Sequence, residues 1–249
     1  METARLIAQK LGNTQLISIS TLNDEPEIIC AAERVGIIYP VYVFGLPLIV
    51  SRFAEKLRVT NADAYIFSVA TYGGLVGAAN FQLKKILQKN KLNLQSGFAV
   101  KMPGNYTPLY NGPDHKNLTK MINKASLAAN QIAGQIERQE KMLAKNNFFV
   151  ALLAVLRPLY EAELAKTFAS DKNFWIKKSC NSCGICVRIC PTKNIHLQNG
   201  KPHWLNRCEQ CLGCLHWCPE EALQWGKKTV GRRRYHHPAI NVLDIEKSR

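Results

Sequence analysis

The residues best suited to chemistry lie between Cys180 and Pro219. The stretch reads CNSCGICVRICP and, after a spacer, CEQCLGCLHWCP. Cys180, Cys183, Cys186 and Cys190 recur as Cys208, Cys211, Cys214 and Cys218 at a constant offset of 28 residues, and Pro191 and Pro219 close the two runs. A cubane of four irons and four sulfides needs one thiolate on each iron, approaching from the corners of a tetrahedron. Three cysteines spaced by two residues let a tight loop wrap three corners. The fourth, three residues further on, starts a helical turn that points away, and where two such runs hold two clusters it ligates the other one. One [4Fe–4S] cluster is therefore expected on Cys180, Cys183, Cys186 and Cys218, and a second on Cys208, Cys211, Cys214 and Cys190. Each closing proline fixes φ and removes a donor, turning the chain out of the helix. Gly184 and Gly213 allow backbone amides to approach the sulfides.

Two other uses of cysteine compete. Zinc takes four ligands, usually as two separated pairs, and leaves eight cysteines at this spacing poorly explained. A disulfide framework suits short secreted chains. Between the runs, Ile195-His196-Leu197, Asn199-Gly200 and Pro202-His203-Trp204 predict a small hairpin, because Asn-Gly between short apolar runs favours a two-residue turn. Such a ribbon would keep water from the sulfides. His196, His203 and His216 lie nearby, but the thiolate count is already complete, so they are expected to cover rather than ligate.

Composition bounds the rest. A chain of 249 residues can hold one sizeable domain and a small one. No charged n-region, apolar h-region and cleavage site open it, and its longest apolar run, Phe148 to Leu156, is about half a membrane span. A cytoplasmic protein is expected, with no transmembrane segment. The 33 Lys and Arg outweigh 18 Asp and Glu, a formal +15. That balance suits a solvated surface and a basic tail that steer an acidic redox partner protein. Nucleic acid is not expected, because aromatic and basic residues are not interleaved for base stacking. Paired carboxylates, a Ser-His-Asp set and a GxxxxGK[ST] loop are all missing, so hydrolysis and phosphoryl transfer have no support.

The elements before the cysteines read as alternating helices and strands. Residues 2–11 put Ala4, Ile7, Ala8 and Leu11 on one helical face, and Gly12 is a natural stop. A strand is expected over Gln15–Ile19 and a short helix near Glu27–Glu33. Residues 35–44, VGIIYPVYVF, read as a strand buried on both faces, with Pro40 ending its ladder early. A helix through Leu57 follows, then a buried strand over Ala64–Ala70, a helix through Lys89 and a last strand over 94–100. This alternation predicts an α/β, doubly wound parallel sheet, in which ligands sit beyond the carboxyl ends of the strands. Two loops leave that edge, one with Pro40, Tyr42 and Gly45, the other with Thr71, Tyr72, Gly73 and Gly74. An aromatic platform with open amides suits a flat isoalloxazine ring; the same loops read equally as ordinary turns with surface tyrosines.

GIIYPVYVFGLP, VATYGG, KMPGNYTP and the closing RRRYHHPAI, together with the cysteine runs, resemble the fusion proteins of anaerobic prokaryotes that join a flavodoxin-like domain to a bacterial-type 2[4Fe–4S] ferredoxin. The likeness covers nearly the whole chain. It implies electron transfer as the activity and FMN against the loops near Tyr42 and Tyr72. One departure is large. Flavodoxin-like domains place a first strand and a phosphate loop ahead of the first helix, and this chain opens inside that helix, so Met1 is expected to be an internal methionine of a longer native chain; a true variant that has lost flavin is the competing account.

The expected organisation is thus a flavodoxin-like domain, N-terminally incomplete, over residues 1–112; a mostly helical connector over 113–172; a small α+β ferredoxin domain over 173–226; and a basic tail over 227–249. Within the connector, Pro158 should break the helix, and FFVALLAVL is expected as a helix buried between the domains. Cys30 stands outside the repeat and is expected as a buried free thiol. Arg232, Arg233 and Arg234 should cover the clusters or dock the acidic partner, while His236 and His237 read as surface residues. The expected function is an electron carrier whose two clusters exchange single electrons with FMN and an external partner. A flavin-dependent oxidoreductase acting on a small substrate, and a cluster-based redox sensor, are the alternatives.

Overall fold

In the run YIFSVATY, the first six residues are buried without alternation, as a strand with helices on both faces must be. The computed structural model, which describes residues 1–143 and 171–248, places this run in the first of two units. One unit comprises residues 1–103 with 115–143, the other residues 104–114 with 171–248.

The first unit runs α1 (Glu2–Leu11), β1 (Ile28–Cys30), β2 (Arg34–Pro40), α2 (Leu48–Lys56), β3 (Leu57–Val59), β4 (Tyr65–Tyr72), α3 (Ala79–Lys89), β5 (Leu94–Lys101) and α4 (His115–Glu137). β2, β4 and β5 form a parallel sheet in that order, and β1 pairs β3 in parallel. The two ladders are separate and differ in register: Ile28 faces Leu57, whereas Arg34 faces Tyr65. Successive side chains of β4 point to opposite faces. Tyr65, Phe67 and Val69 pack with Ile7 of α1 and Ala125, Ala129, Ile132, Ala133 and Ile136 of α4. Ile66 and Ala70 pack on the other side with Ile49, Val50 and Ala54 of α2 and Leu83 and Leu87 of α3.

Several expectations change. β2 is not buried on both faces; its burial alternates, with Val35, Ile37 and Tyr39 inward, and among the described residues it is an edge strand paired only to β4. Gly36 lies opposite Phe67, and a Cβ there would meet the Phe67 ring at 2.4 Å. Gln15–Ile19 makes no strand: Leu16 and Ile17 stay about half exposed, and no neighbouring strand among the described residues takes up their backbone bonds. Where a helix was expected near Glu27–Glu33, the β-branched Ile28 and Ile29 instead pair with β3. Cys30, on β1, is a half-buried free thiol.

The units also divide elsewhere than the sequence boundaries. α4, assigned above to the connector, packs on α1 and β5 as a layer of the first unit. Gly104–Asp114 belongs to the second unit. FFVALLAVL, Pro158 and Phe168 lie outside the described residues. Among the described residues no helix is long and apolar enough to cross a membrane.

The second unit contains β6 (Phe174–Ile176), α5 (Ile185–Arg188), β7 (Ile195–Gln198), β8 (Lys201–Trp204), α6 (Gly213–His216), β9 (Leu223–Trp225) and α7 (Val242–Lys247). The expected hairpin is present as antiparallel β7–β8, with Asn199 (φ 50°) and Gly200 (φ 73°) in its turn. A second antiparallel ribbon, β6–β9, was not anticipated. It is the repeat mate of the first, because 28 residues separate β6 from β8 and β7 from β9. Phe174 stacks on Trp204 at 5.0 Å between ring centroids, joining the two ribbons over a core that includes Cys186, Cys190 and Cys214.

Candidate metal centre

The repeat is conformational as well as sequential. α5 and α6 are repeat equivalents, and each begins directly after a left-handed residue, Gly184 (φ 72°) and Leu212 (φ 57°). Ser182 and Gln210, one residue before the second cysteine of each run, share positive φ at 61° and 52°. Lys193 and Glu221 do the same at 50° and 43°. Left-handed residues interleaved with helical ones turn successive N–H groups inward, forming a concavity that favours anions. The sulfurs use these donors. Asn194 N–H donates to Cys190 Sγ at 3.3 Å, and its repeat equivalent, Ala222 N–H, donates to Cys218 Sγ at 3.2 Å. Gln210 N–H donates to Cys208 Sγ at 3.2 Å.

The cysteines gather as two sets. Cys180, Cys183, Cys186 and Cys218 line one cavity, partly open to solvent, which Leu197 and Pro202 of the hairpin help to close. Cys218 enters from the other run, its chain brought there by the closing turn of α6. Burial pushes the Cys186 thiol up to about 11, and Cys183, Cys218 and Cys180 add to the rise. In the second set, burial raises Cys214 well above the ordinary range, with Cys211, Cys208 and Cys190 as its main charged neighbours. Burial likewise raises Cys208 and takes Cys211 up to about 11.

Mutually raised thiols packed around a common space are unfavourable as bare anions. They suit a positively charged centre, which favours the thiolate outright. The N–H donors to sulfur act in the same direction. A single ion would need its donors within about 2.3 Å of one point. Among the described residues no three His, Cys, Asp or Glu side chains converge in that way, whereas a cubane spreads its four thiolates over four irons. The donor set fits the cubane.

The two sets differ in exposure. In the first, Cys183 is exposed, Cys180 and Cys218 are half-buried and Cys186 is buried; in the second, Cys208 and Cys211 are half-buried and Cys190 and Cys214 are buried. The loop around Cys183 carries cations: Lys201 Nζ donates to Cys180 O at 3.0 Å and Arg188 Nη1 to Cys183 O at 2.9 Å. Arg188 also pairs with Glu246 of α7 at 2.7 Å.

The histidines are accounted for otherwise. His196 and His203 face each other across the hairpin on its exposed side, ring centroids 5.8 Å apart. His216 is buried and both ring nitrogens are used. Tyr235 N–H donates to Nδ1 at 3.1 Å, which leaves Nε2–H to donate to Asn105 O at 2.7 Å. Burial pushes its pKa down to about 4, so the ring is neutral. His236 stacks on Trp217 at 4.3 Å. Sequence reasoning missed how far the flanking segments contribute. Tyr106 packs against the cysteine core, and Arg232 donates to Thr107 O. The two tyrosines of NYTPLYN, Tyr106 and Tyr110, were the available signal in the segment before the cysteines.

In the first unit the structure brings the remaining sequence-singled residues together at the carboxyl ends of β2 and β4. Pro40 is in register with Thr71, and Val41 N–H donates to Thr71 O at 2.8 Å. Tyr42 and Gly45 exchange backbone hydrogen bonds at 3.0 and 2.9 Å across a tight turn, in which Val43 (φ 46°) and Phe44 (φ 58°) are both left-handed. Ala78 N–H donates to Phe44 O at 2.9 Å, tying the loop that contains Tyr72, Gly73 and Gly74 to this turn.

Residues 174–196, which include Cys180, Cys183, Cys186 and Cys190, match the 4Fe-4S binding domain family. No curated protein and no solved structure matches the chain. The matched segment is a ferredoxin-type, iron–sulfur element, and the clustered cysteines fit an electron-transfer role.

Proposed function

We propose that this chain is an electron carrier with two [4Fe–4S] clusters, one on Cys180, Cys183, Cys186 and Cys218, the other on Cys208, Cys211, Cys214 and Cys190. When bound, each cluster supplies a one-electron couple. The observation that carries the reading is Cys218 lining the cavity of Cys180, Cys183 and Cys186. Only the crossed assignment places a fourth thiol there. The residues around the clusters exclude water with the β7–β8 and β6–β9 ribbons and direct N–H groups at sulfur. Anaerobically purified protein should contain about eight irons and eight sulfides per chain. Zinc, or iron for one cluster at most, would overturn the reading.

The exposed Cys183 loop is the proposed exit for electrons, toward an acidic redox partner. Lys201, held on the Cys180 carbonyl, supports that choice. Lys201→Glu should slow reduction of an acidic acceptor protein and weaken the dependence of the rate on salt. An unchanged rate and salt slope would remove this surface from consideration.

For the first unit we propose a flavodoxin-like sheet with a further strand beyond β2, and FMN as the redox partner of the clusters. Among the described residues β2 is paired along one edge alone, and that open edge supports the extra strand. The hydrogen-bonded juxtaposition of the loops bearing Pro40, Tyr42 and Gly45 and Thr71, Tyr72, Gly73 and Gly74 supports a flat ring there. Titrating FMN while following quenching of its fluorescence tests this. Binding weakened at least tenfold by Tyr42→Ala or Tyr72→Ala is expected; no quenching up to millimolar FMN would exclude it.

A further inference from the structure

Burying a guanidinium is unfavourable unless its five N–H donors find acceptors. Arg234 is fixed from both sides: Arg233 N–H donates to Asn111 Oδ1 at 2.9 Å, and Tyr235 N–H to His216 Nδ1 at 3.1 Å. Its Nη2 donates to Leu223 O at 2.9 Å, in β9. Its Nε and Nη1 are sealed from solvent, and neither has an acceptor among the described residues. Both anchors adjoin the cysteines: Leu223 directly follows Ala222, whose N–H donates to Cys218 Sγ at 3.2 Å, and His216 stands between Cys214 and Cys218 in the chain. Cys218 belongs to one proposed cluster and Cys214 to the other.

We infer that Arg234 is a tuning residue for the iron–sulfur centres, giving its Nε–H and Nη1–H to cluster sulfur at Cys218 and Cys214 and holding a fixed positive charge there. The inference rests on the two-cluster reading. Two donors that are buried and aimed at nothing else acquire acceptors once thiolates and sulfides are present. Hydrogen bonds to sulfur and net charge are the protein's means of setting cluster potentials. A positive charge favours the reduced, more negative state, so Arg234 makes its clusters easier to reduce. Nη2 is anchored on Leu223 O, next to the Ala222 N–H that donates to Cys218 Sγ, so the cluster held through Cys218 should respond more.

The test uses the full chain, purified anaerobically, with iron and sulfide counted first. Absence of iron removes the two-cluster reading itself and is thereby separated from failure of this inference. With iron present, the protein is labelled with ¹⁵N-arginine and examined by pulsed electron paramagnetic resonance in the reduced state. A ¹⁵N coupling at one or both clusters, lost in Arg234→Lys, is expected. No arginine nitrogen coupling in the wild type, or one that persists in Arg234→Lys, overturns the proposal without requiring any other variant. Redox titration supplies the second readout. Arg234→Met should shift the potential of the Cys218-held cluster to more negative values, and Arg234→Lys, which keeps the charge, should shift it less. Full iron and sulfide content with unmoved potentials in Arg234→Met would also overturn the assignment.

Discussion

Cys186, in α5, and Cys190, two residues past its end, stand four residues apart, yet they join different sets of thiols. Replacing Cys190 by Ala should damage the cluster carried by Cys208, Cys211 and Cys214 and leave the other intact. Iron content near half, with only one of two resonance signals lost, is the expected result; loss of the Cys180-held cluster would contradict the crossing. Backbone sign matters equally at this scale. Gly184 adopts φ 72° with Arg188 Nη1 3.1 Å from where a Cβ would stand. Gly184→Ala should therefore lower the stability of the cluster-free protein by about 1–2 kcal/mol and reduce iron incorporation, measured by denaturant melting and iron assay. Its repeat mate, Leu212, holds the same conformation with a full side chain and is 2 % exposed. Which residue carries the left-handed turn could not be read from the motif, because Gly213 sits one place later than Gly184 in the repeat. Arg234 was legible only as part of a basic run, since its burial depends on β9 and α6.

At the scale of elements, short ribbons and a small sheet do the positioning. The β7–β8 turn needs positive φ at Gly200, where a Cβ would approach Ser182 Oγ at 3.1 Å. Gly200→Val should loosen the ribbon that places Leu197 and Pro202 over the cavity. Faster bleaching of cluster absorbance in air is the outcome to look for. In the first unit, Tyr39 is 2 % exposed and donates to Asn80 Oδ1 at 2.6 Å, and burial raises its pKa. An unfolded tyrosine ionises near pH 10 while the native one keeps its proton. Stability of this unit should accordingly fall as pH rises past about 10, and Tyr39→Phe should flatten that slope in alkaline denaturant titrations, for about 1 kcal/mol of lost hydrogen bonding at neutral pH. Periodicity located α1, α2, β4, α3 and β5 because each buries a regular stripe. It misjudged Gln15–Ile19 and β2, whose state depends on how many neighbouring strands they have, and no local pattern encodes a neighbour.

For the whole molecule, the two units predict separable responses to metal. The first buries an apolar core between two helical layers, while the second builds its core partly from the cysteines themselves. Stripping iron under reducing conditions should lower the melting temperature of the second unit and leave the first unchanged, because ligand binding energy there contributes to folding. Calorimetry should resolve two transitions, with only one moving. A single transition that shifts as a whole would show the units to be energetically coupled.

The sequence by itself determined the eight cysteines, their 28-residue repeat, the Asn-Gly hairpin and the strand–helix alternation, since all of these are written in spacing and period. The crossing of Cys218 to the opposite run was likewise legible in the motif. Tertiary structure alone decided that Ile28 and Ile29 form a strand, and that α4 is a layer of the first unit. It also decided that Nε and Nη1 of Arg234 are sealed from solvent. The reason is common to all three: each depends on a partner distant along the chain, and local propensity carries no information about which partner will be there.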